Sequence, residues 1–162
     1  MAVWKEHDFW KYEIFERDIE PEVLPGFEDL VRLWQNKRGD RPMPAWVDFD
    51  FHDFVGWHGR IAMADIFYDP YDYRYRLFGE KISEQFKADF TGKLGTELVD
   101  GNLERLEELE FYEMVCRKML ISRVSGQLKQ FHRSHVSATF IEFPLSDNGE
   151  MTSHTILAMI SD

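Results

Sequence analysis

Apolar residues recur along this chain with two periods, and the change from one to the other divides it. In "FEDLVRLWQNKRG" (27–39) Leu30, Val31 and Trp34 return every three to four residues, which predicts an amphipathic helix stopped by Gly39. Residues 1–20 are also helical in composition, although they show no clean apolar face. Trp10 and Ile14 stand four apart with Arg17 near the same helical face, while Trp4, Phe9 and Phe15 are mixed with charges. The two prolines and the glycine of "PEVLPG" (21–26) break the chain. "GDRPMPAW" (39–46) predicts an extended connector, because residues before proline avoid helical geometry. "DFDFHDFVGWHG" (48–59) then predicts one or two short helical turns with Asp48 or Asp50 as the N-cap.

Beyond Gly59 the texture becomes that of strands. "GRIAMADIFYD" (59–69) and "DYRYRLFGE" (72–80) predict two strands turned at Asp69-Pro70. Strict alternation in the second places Tyr73, Tyr75 and Leu77 on one face, and Arg74, Arg76 and Phe78 on the other. "EKISEQFKADFTGK" (80–93) predicts a short helix and a loop that ends at Gly92. A long helix follows in "NLERLEELEFYEMVCRKMLIS" (102–122), capped by Asn102. Its expected buried stripe is Leu103, Leu106, Leu109, Tyr112 or Met114, Val115 and Met119. Its glutamates come early and Arg117, Lys118 and Arg123 late, which suits the helix dipole. "GQLKQFHR" (126–133), "SATFIEFPL" (137–145) and "TSHTILAMIS" (152–161) predict three final strands, the last two joined by a turn at Asn148-Gly149. Helices, two strands, two helices and three strands imply an α+β fold with one five-stranded antiparallel sheet, covered by helices on at least one face.

Composition narrows the field. At 162 residues, 44% of them hydrophobic, the chain is one domain's worth of sequence with enough apolar mass for a core. Nineteen Lys and Arg face 30 Asp and Glu, a net charge of −11, which opposes binding to nucleic acid through its phosphates. No apolar run is long enough for a membrane helix, and "MAVWKEHDFWKYEIFE" is no signal peptide. With the single cysteine, Cys116, the expected setting is the cytoplasm.

The β-β-α…α-β-β-β order and four stretches resemble a bacterial family of short stand-alone PAS-like proteins. The stretches are "RLWQNKRGDRPMPAWVDFD" (32–50), "YRYRLFGEKI" (73–82), "DFTGK" (89–93) and "FPLSDNGE" (143–150). The likeness covers about residues 28–160. In it, Trp46 and Val47 precede the acidic "DFD" and Phe51 follows it, where the family commonly has an arginine and a proline. The resemblance implies residues 28–162 as a PAS-like domain, with 1–27 as an N-terminal helical extension. It implies a non-enzymatic sensory or signalling module that binds a small ligand or a protein partner and forms a homodimer through its N-terminal helices. It names no cofactor. Trp57, Tyr75, Arg76, Phe86 and Met159 are the residues expected to line or border the ligand cavity.

The arginines of "DYRYRLFGE" admit two roles. They form an intramolecular clamp with Asp48, Asp50 or Asp65, which is the expectation here, or they anchor a carboxylate or phosphate through the guanidinium fork. The aromatic run Trp34, Trp46, Phe49, Phe51, Phe54 and Trp57 is read as a cap over the sheet, with a pocket wall as the alternative. The histidines have no metal spacing: His132 and His135 would point oppositely on a strand, and His52 and His58 lack cysteine companions. Cys116 lacks the context of a flavin-reactive cysteine, and "TGKLGT" lacks the ending of a phosphate loop. No catalytic or metal residue is therefore assigned. The rival from another class is a cone-shaped α+β isomerase or dehydratase using an acid–base pair such as His132 with Asp65.

Overall fold

Both faces of the central strands in this protein are buried, so alternate residues of a single strand serve two different cores. The computed structural model describes residues 2–6, 10–128 and 133–162, with the side chains of 104 and 133–135 outside that description. The elements are β1 (Ala2–Glu6), β2 (Trp10–Phe15), α1 (Glu28–Arg38), β3 (Ile61–Phe67), β4 (Asp72–Phe78), α2 (Glu80–Phe86), α3 (Gly95–Val99), α4 (Leu103–Lys118), β5 (Ile121–Leu128), β6 (Arg133–Leu145) and β7 (His154–Ser161). One antiparallel sheet of seven strands runs β1-β2-β5-β6-β7-β3-β4. The fold is α+β, as expected, but with seven strands instead of five.

The two additional strands come from the segment read as helical. Trp10 and Ile14 are four residues apart, a spacing that shares a face in a helix and in a strand alike. Tyr12 between them decides for the strand: it is buried and joins Trp10 and Ile14 in the same core cluster. The intervening Glu13 points the other way and is buried too, gripped by Arg123 of β5 through two contacts of 2.8 Å. The helical reading of the N-terminal extension is therefore corrected: Ala2–Glu6 and Trp10–Phe15 are strands of the sheet, and the helices expected to form a homodimer are not found there.

Strand β7 shows the two-sided packing clearly. Leu157 and Met159 face a core completed by Ile82 of α2 and by Phe111, Tyr112, Val115 and Cys116 of α4. Ile156 and Ala158 face the opposite core, with Leu24, Phe27, Met43 and the α1 residues Leu30, Val31 and Trp34. Helix α1 follows its predicted register and bounds, and the Trp34 indole donates to the Pro144 carbonyl of β6 at 2.9 Å. The stripe of α4 departs from expectation. Leu103 and Leu106 are exposed, Leu109 is partly buried, and full burial begins at Phe111 and Tyr112.

The corner from β4 into α2 leaves no room for a side chain at Gly79, where an added Cβ would stand 2.3 Å from the Gly59 carbonyl oxygen and 2.8 Å from that of Ile61. Both are backbone atoms held in the β3 corner, so neither can turn aside. Gly79→Ala is expected to lower stability in urea by about 2–4 kcal/mol. Gly92→Ala, where a Cβ meets nothing within 4 Å, loses only about 1 kcal/mol through its positive φ. Equal losses at the two positions would contradict the crowded corner.

Candidate functional site

Strand β4 does not keep strict alternation. Met63 pairs with Leu77 and its neighbour Ala64 with Tyr75, so Arg76 is an extra residue, a β-bulge. The insertion exchanges the next two side chains. Phe78 joins Tyr75 on the α2–α4 side, with ring centroids 4.9 Å apart, and Leu77 turns to the α1 side with Arg76. The expected pairing of Leu77 with the tyrosines is corrected by that one residue.

On the α1 side the bulge forms the floor of a groove of about 610 Å³. It is lined by Ile61, Met63 and Leu77 from the sheet and by Trp46, Phe49, Phe51 and Phe54 from the aromatic segment, with Asp50, His58, Arg76 and Glu80 also present. Local acids shape the aromatic wall. Asp48 accepts the Ala45 N–H at 2.8 Å and pairs with Arg41 at 2.7 Å, which draws its carboxyl below the usual range despite the opposing effect of burial. Asp50 caps the second turn: it accepts the Asp53 N–H at 3.1 Å while Asp53 accepts that of Asp50 at 2.8 Å. Phe51 is 70% exposed, yet its ring stacks on His58 at 3.8 Å, and the His58 Nε2 lies 2.8 Å from the Phe51 carbonyl.

Arg76 is half exposed and bound to Asp65, Nη2 to Oδ1 at 2.9 Å and Nε to Oδ2 at 3.4 Å. The clamp expected for "DYRYRLFGE" is present, although it ties β4 to β3 and not a helix to the sheet. Asp65 Oδ1 also meets His154 Nδ1 at 2.9 Å, and His154 Nε2 meets Asp147 at 3.2 Å. Arg74 lies over the Phe67 ring, 5.5 Å from its centroid.

On the other face, between the sheet and α2–α4, the cavity is only about 40 Å³. It is lined by Tyr73, Tyr75, Phe86, Phe90, Tyr112 and Phe140 among others. This is room for a water or two and no more. Burial pushes the phenols of Tyr73, Tyr75 and Tyr112 well above their ordinary range, so they stay neutral donors. In the same core burial raises the Glu142 carboxyl to about 7, with Glu108 adding to the rise and a hydrogen bond to Thr155 opposing it.

The five residues expected at one ligand cavity are therefore divided by the sheet. Tyr75 and Phe86 line the small inner cavity and Met159 is buried in the same core. Arg76 lines the outer groove, and Trp57 packs on Phe27 with the Arg60 guanidinium 4.5 Å above its ring. A side chain cannot reach through a sheet, so the single five-residue cavity is corrected. The acid–base pair of the enzyme reading has Asp65 already engaged by Arg76 and His154, and His132 lies outside the described residues. Among the described residues no three His, Cys, Asp or Glu are grouped to hold a metal, and no helix is long and apolar enough to cross a membrane. Cys116 is buried with the Tyr71 hydroxyl 3.7 Å away, and burial pushes its thiol up.

Sequence reasoning passed over His154, Asp147 and Glu142. Glu142 had a signal, a lone acid inside the apolar run "TFIEFPL". His154 had none, because its partners are 89 and 7 residues away. No family model matches this chain, and no curated protein or solved structure matches it.

Glu142 makes stability depend on pH in a definite direction. Its folded value of about 7 lies above the ordinary 4.5, so the folded state binds more protons than the unfolded one between those values. Stability from this group is full below the lower value and is lost as pH rises through the window. Glu142→Gln removes the loss, and its stabilisation measured in urea should grow by about 2–3 kcal/mol between about pH 5 and about pH 8. A gain that is flat with pH, or larger at the acid end, would show that Glu142 is not the group concerned.

Proposed function

We propose that this protein is a non-enzymatic sensory or interaction module of the PAS type, and that it binds through the groove between the aromatic segment and bulged β4. The observation that carries this reading is the contrast between the concavities on the two sides of β4. The inner one is about 40 Å³, while the outer is about 610 Å³ and walled by Trp46, Phe49, Phe51 and Leu77. Ligand sites of small molecules commonly occupy some 300–1,000 Å³ and are mostly apolar. The groove fits that description, and the inner cavity is occupied by the protein's own rings. Exposed apolar residues also gather around it: Val47, Phe51, Val55 and Leu77 are each at least 50% exposed.

The PAS-type reading is supported by element order. The five strands β3 to β7 occur as β-β-α-α-α-β-β-β and stand side by side as β5-β6-β7-β3-β4. The hairpin strands β1 and β2 extend this block at its β5 edge. The lone cysteine fits a cytoplasmic setting.

The neutral dye N-phenyl-1-naphthylamine tests the groove. Its fluorescence is expected to rise on the folded protein and to fall back in a Phe51→Ser, Leu77→Thr double variant. Both side chains are largely exposed, so the variant should keep its stability within about 1 kcal/mol. No enhancement with the native chain, or the same enhancement with the variant, would remove the groove as the binding surface.

A further inference from the structure

The groove holds one Lys or Arg among its lining residues, Arg76, and the way it is anchored determines what it can still bind. Asp65 takes the guanidinium from the side, through Nε and Nη2. That contact uses two of the five N–H groups and leaves the end-on edge, where Nη1 and Nη2 present parallel donors. His154 holds the other side of Asp65 Oδ1, so the carboxylate that positions Arg76 is itself fixed in place. The guanidinium is thus anchored through Nε and Nη2, with half its side chain in solvent.

The apolar part of the groove is built from flat surfaces. Phe49 and Phe54 stack at 5.7 Å with 19° between their planes. Phe51 has one face covered by His58, nearly parallel at 6°, while its exposure leaves the other open. A ring held in this way is a fixed platform for another ring. Asp50 and Glu80 also line the groove and repel negative charge away from Arg76, which disfavours anything more acidic than a single anionic group.

We infer that the groove binds a planar aromatic monocarboxylate, with its ring on the Phe51 platform and its carboxylate on the end-on fork of Arg76. The inference rests on the groove being the binding surface. A carboxylate is coplanar with that fork and accepts both of its N–H groups, whereas an alcohol accepts one and an ammonium is repelled.

The test is calorimetric titration of the full chain with 2-naphthoate, 2-naphthylmethanol and 2-naphthylmethylammonium, repeated with Arg76→Gln and Arg76→Lys. Naphthoate is expected to bind about tenfold more tightly than naphthylmethanol. Arg76→Gln should erase that advantage while weakening the alcohol less than naphthoate, and Arg76→Lys should restore only part of it. If the alcohol or the ammonium binds as well as naphthoate, the carboxylate assignment is wrong while the groove stands. If none of the three binds, the groove reading falls and takes this inference with it. The three probes on the unaltered chain already decide between these outcomes, so the conclusion does not depend on the variants folding.

Discussion

The one residue by which β4 outruns β3 determines what meets on either side of this sheet. In a strand a slip of one position moves every later side chain to the opposite face. Arg76 is that extra residue, so Tyr75 and Phe78 come together over α2–α4 while Leu77 and Arg76 open onto the aromatic segment. A regular β4 would turn Leu77 inward and Phe78 outward, and the groove would lose its floor. Bulges are common where a strand re-aims side chains at a site.

Charge is used sparingly in the core and more freely at its margin. Glu13 is buried and is held bidentately by Arg123, so a charge taken out of water has both oxygens bonded. Glu142 has a hydroxyl from Thr155 and a neighbouring acid, and the outcome is a carboxyl whose proton is held up to near neutrality. At the margin Arg76, Asp65, His154 and Asp147 alternate across β4, β3, β7 and the β6–β7 loop. Both ring nitrogens of His154 face carboxylates, Nδ1 at 2.9 Å from Asp65 and Nε2 at 3.2 Å from Asp147. Exposed pairs contribute little to stability, so the value of this chain lies in orientation.

The two concavities divide the aromatic surplus into two uses. Over α2–α4, Tyr75, Phe78, Phe86, Phe90 and Phe140 pack on one another and nearly close the interior. On the other side Phe27, Trp34 and Phe54 seal the core under α1, while Phe51 remains in solvent. The cap and the pocket wall, which read as alternatives in the sequence, are adjoining parts of one segment. Asp48 and Asp50 hold its turns by local hydrogen bonds, so the segment sets the shape of the wall itself.

Local pattern was enough to determine α1, the strands β3, β4 and β7, the 137–145 part of β6 and the α+β class, because each depends on residues within one turn or one strand, while it left Asp48 and Asp50 both open as the cap. It was enough for the Arg76 clamp as a type of interaction, since an arginine on a half-buried strand needs an acid. It was not enough for β2, where the spacing of Trp10 and Ile14 satisfies a helix and a strand equally, and burial against α4 and Arg123 decides. Nor could it place the candidate site. Trp57, Tyr75, Arg76, Phe86 and Met159 are alike in type, but which side of the sheet each faces depends on the bulge and on pairing between distant strands. Those are tertiary facts, because a strand's face acquires meaning only when its partners are in register.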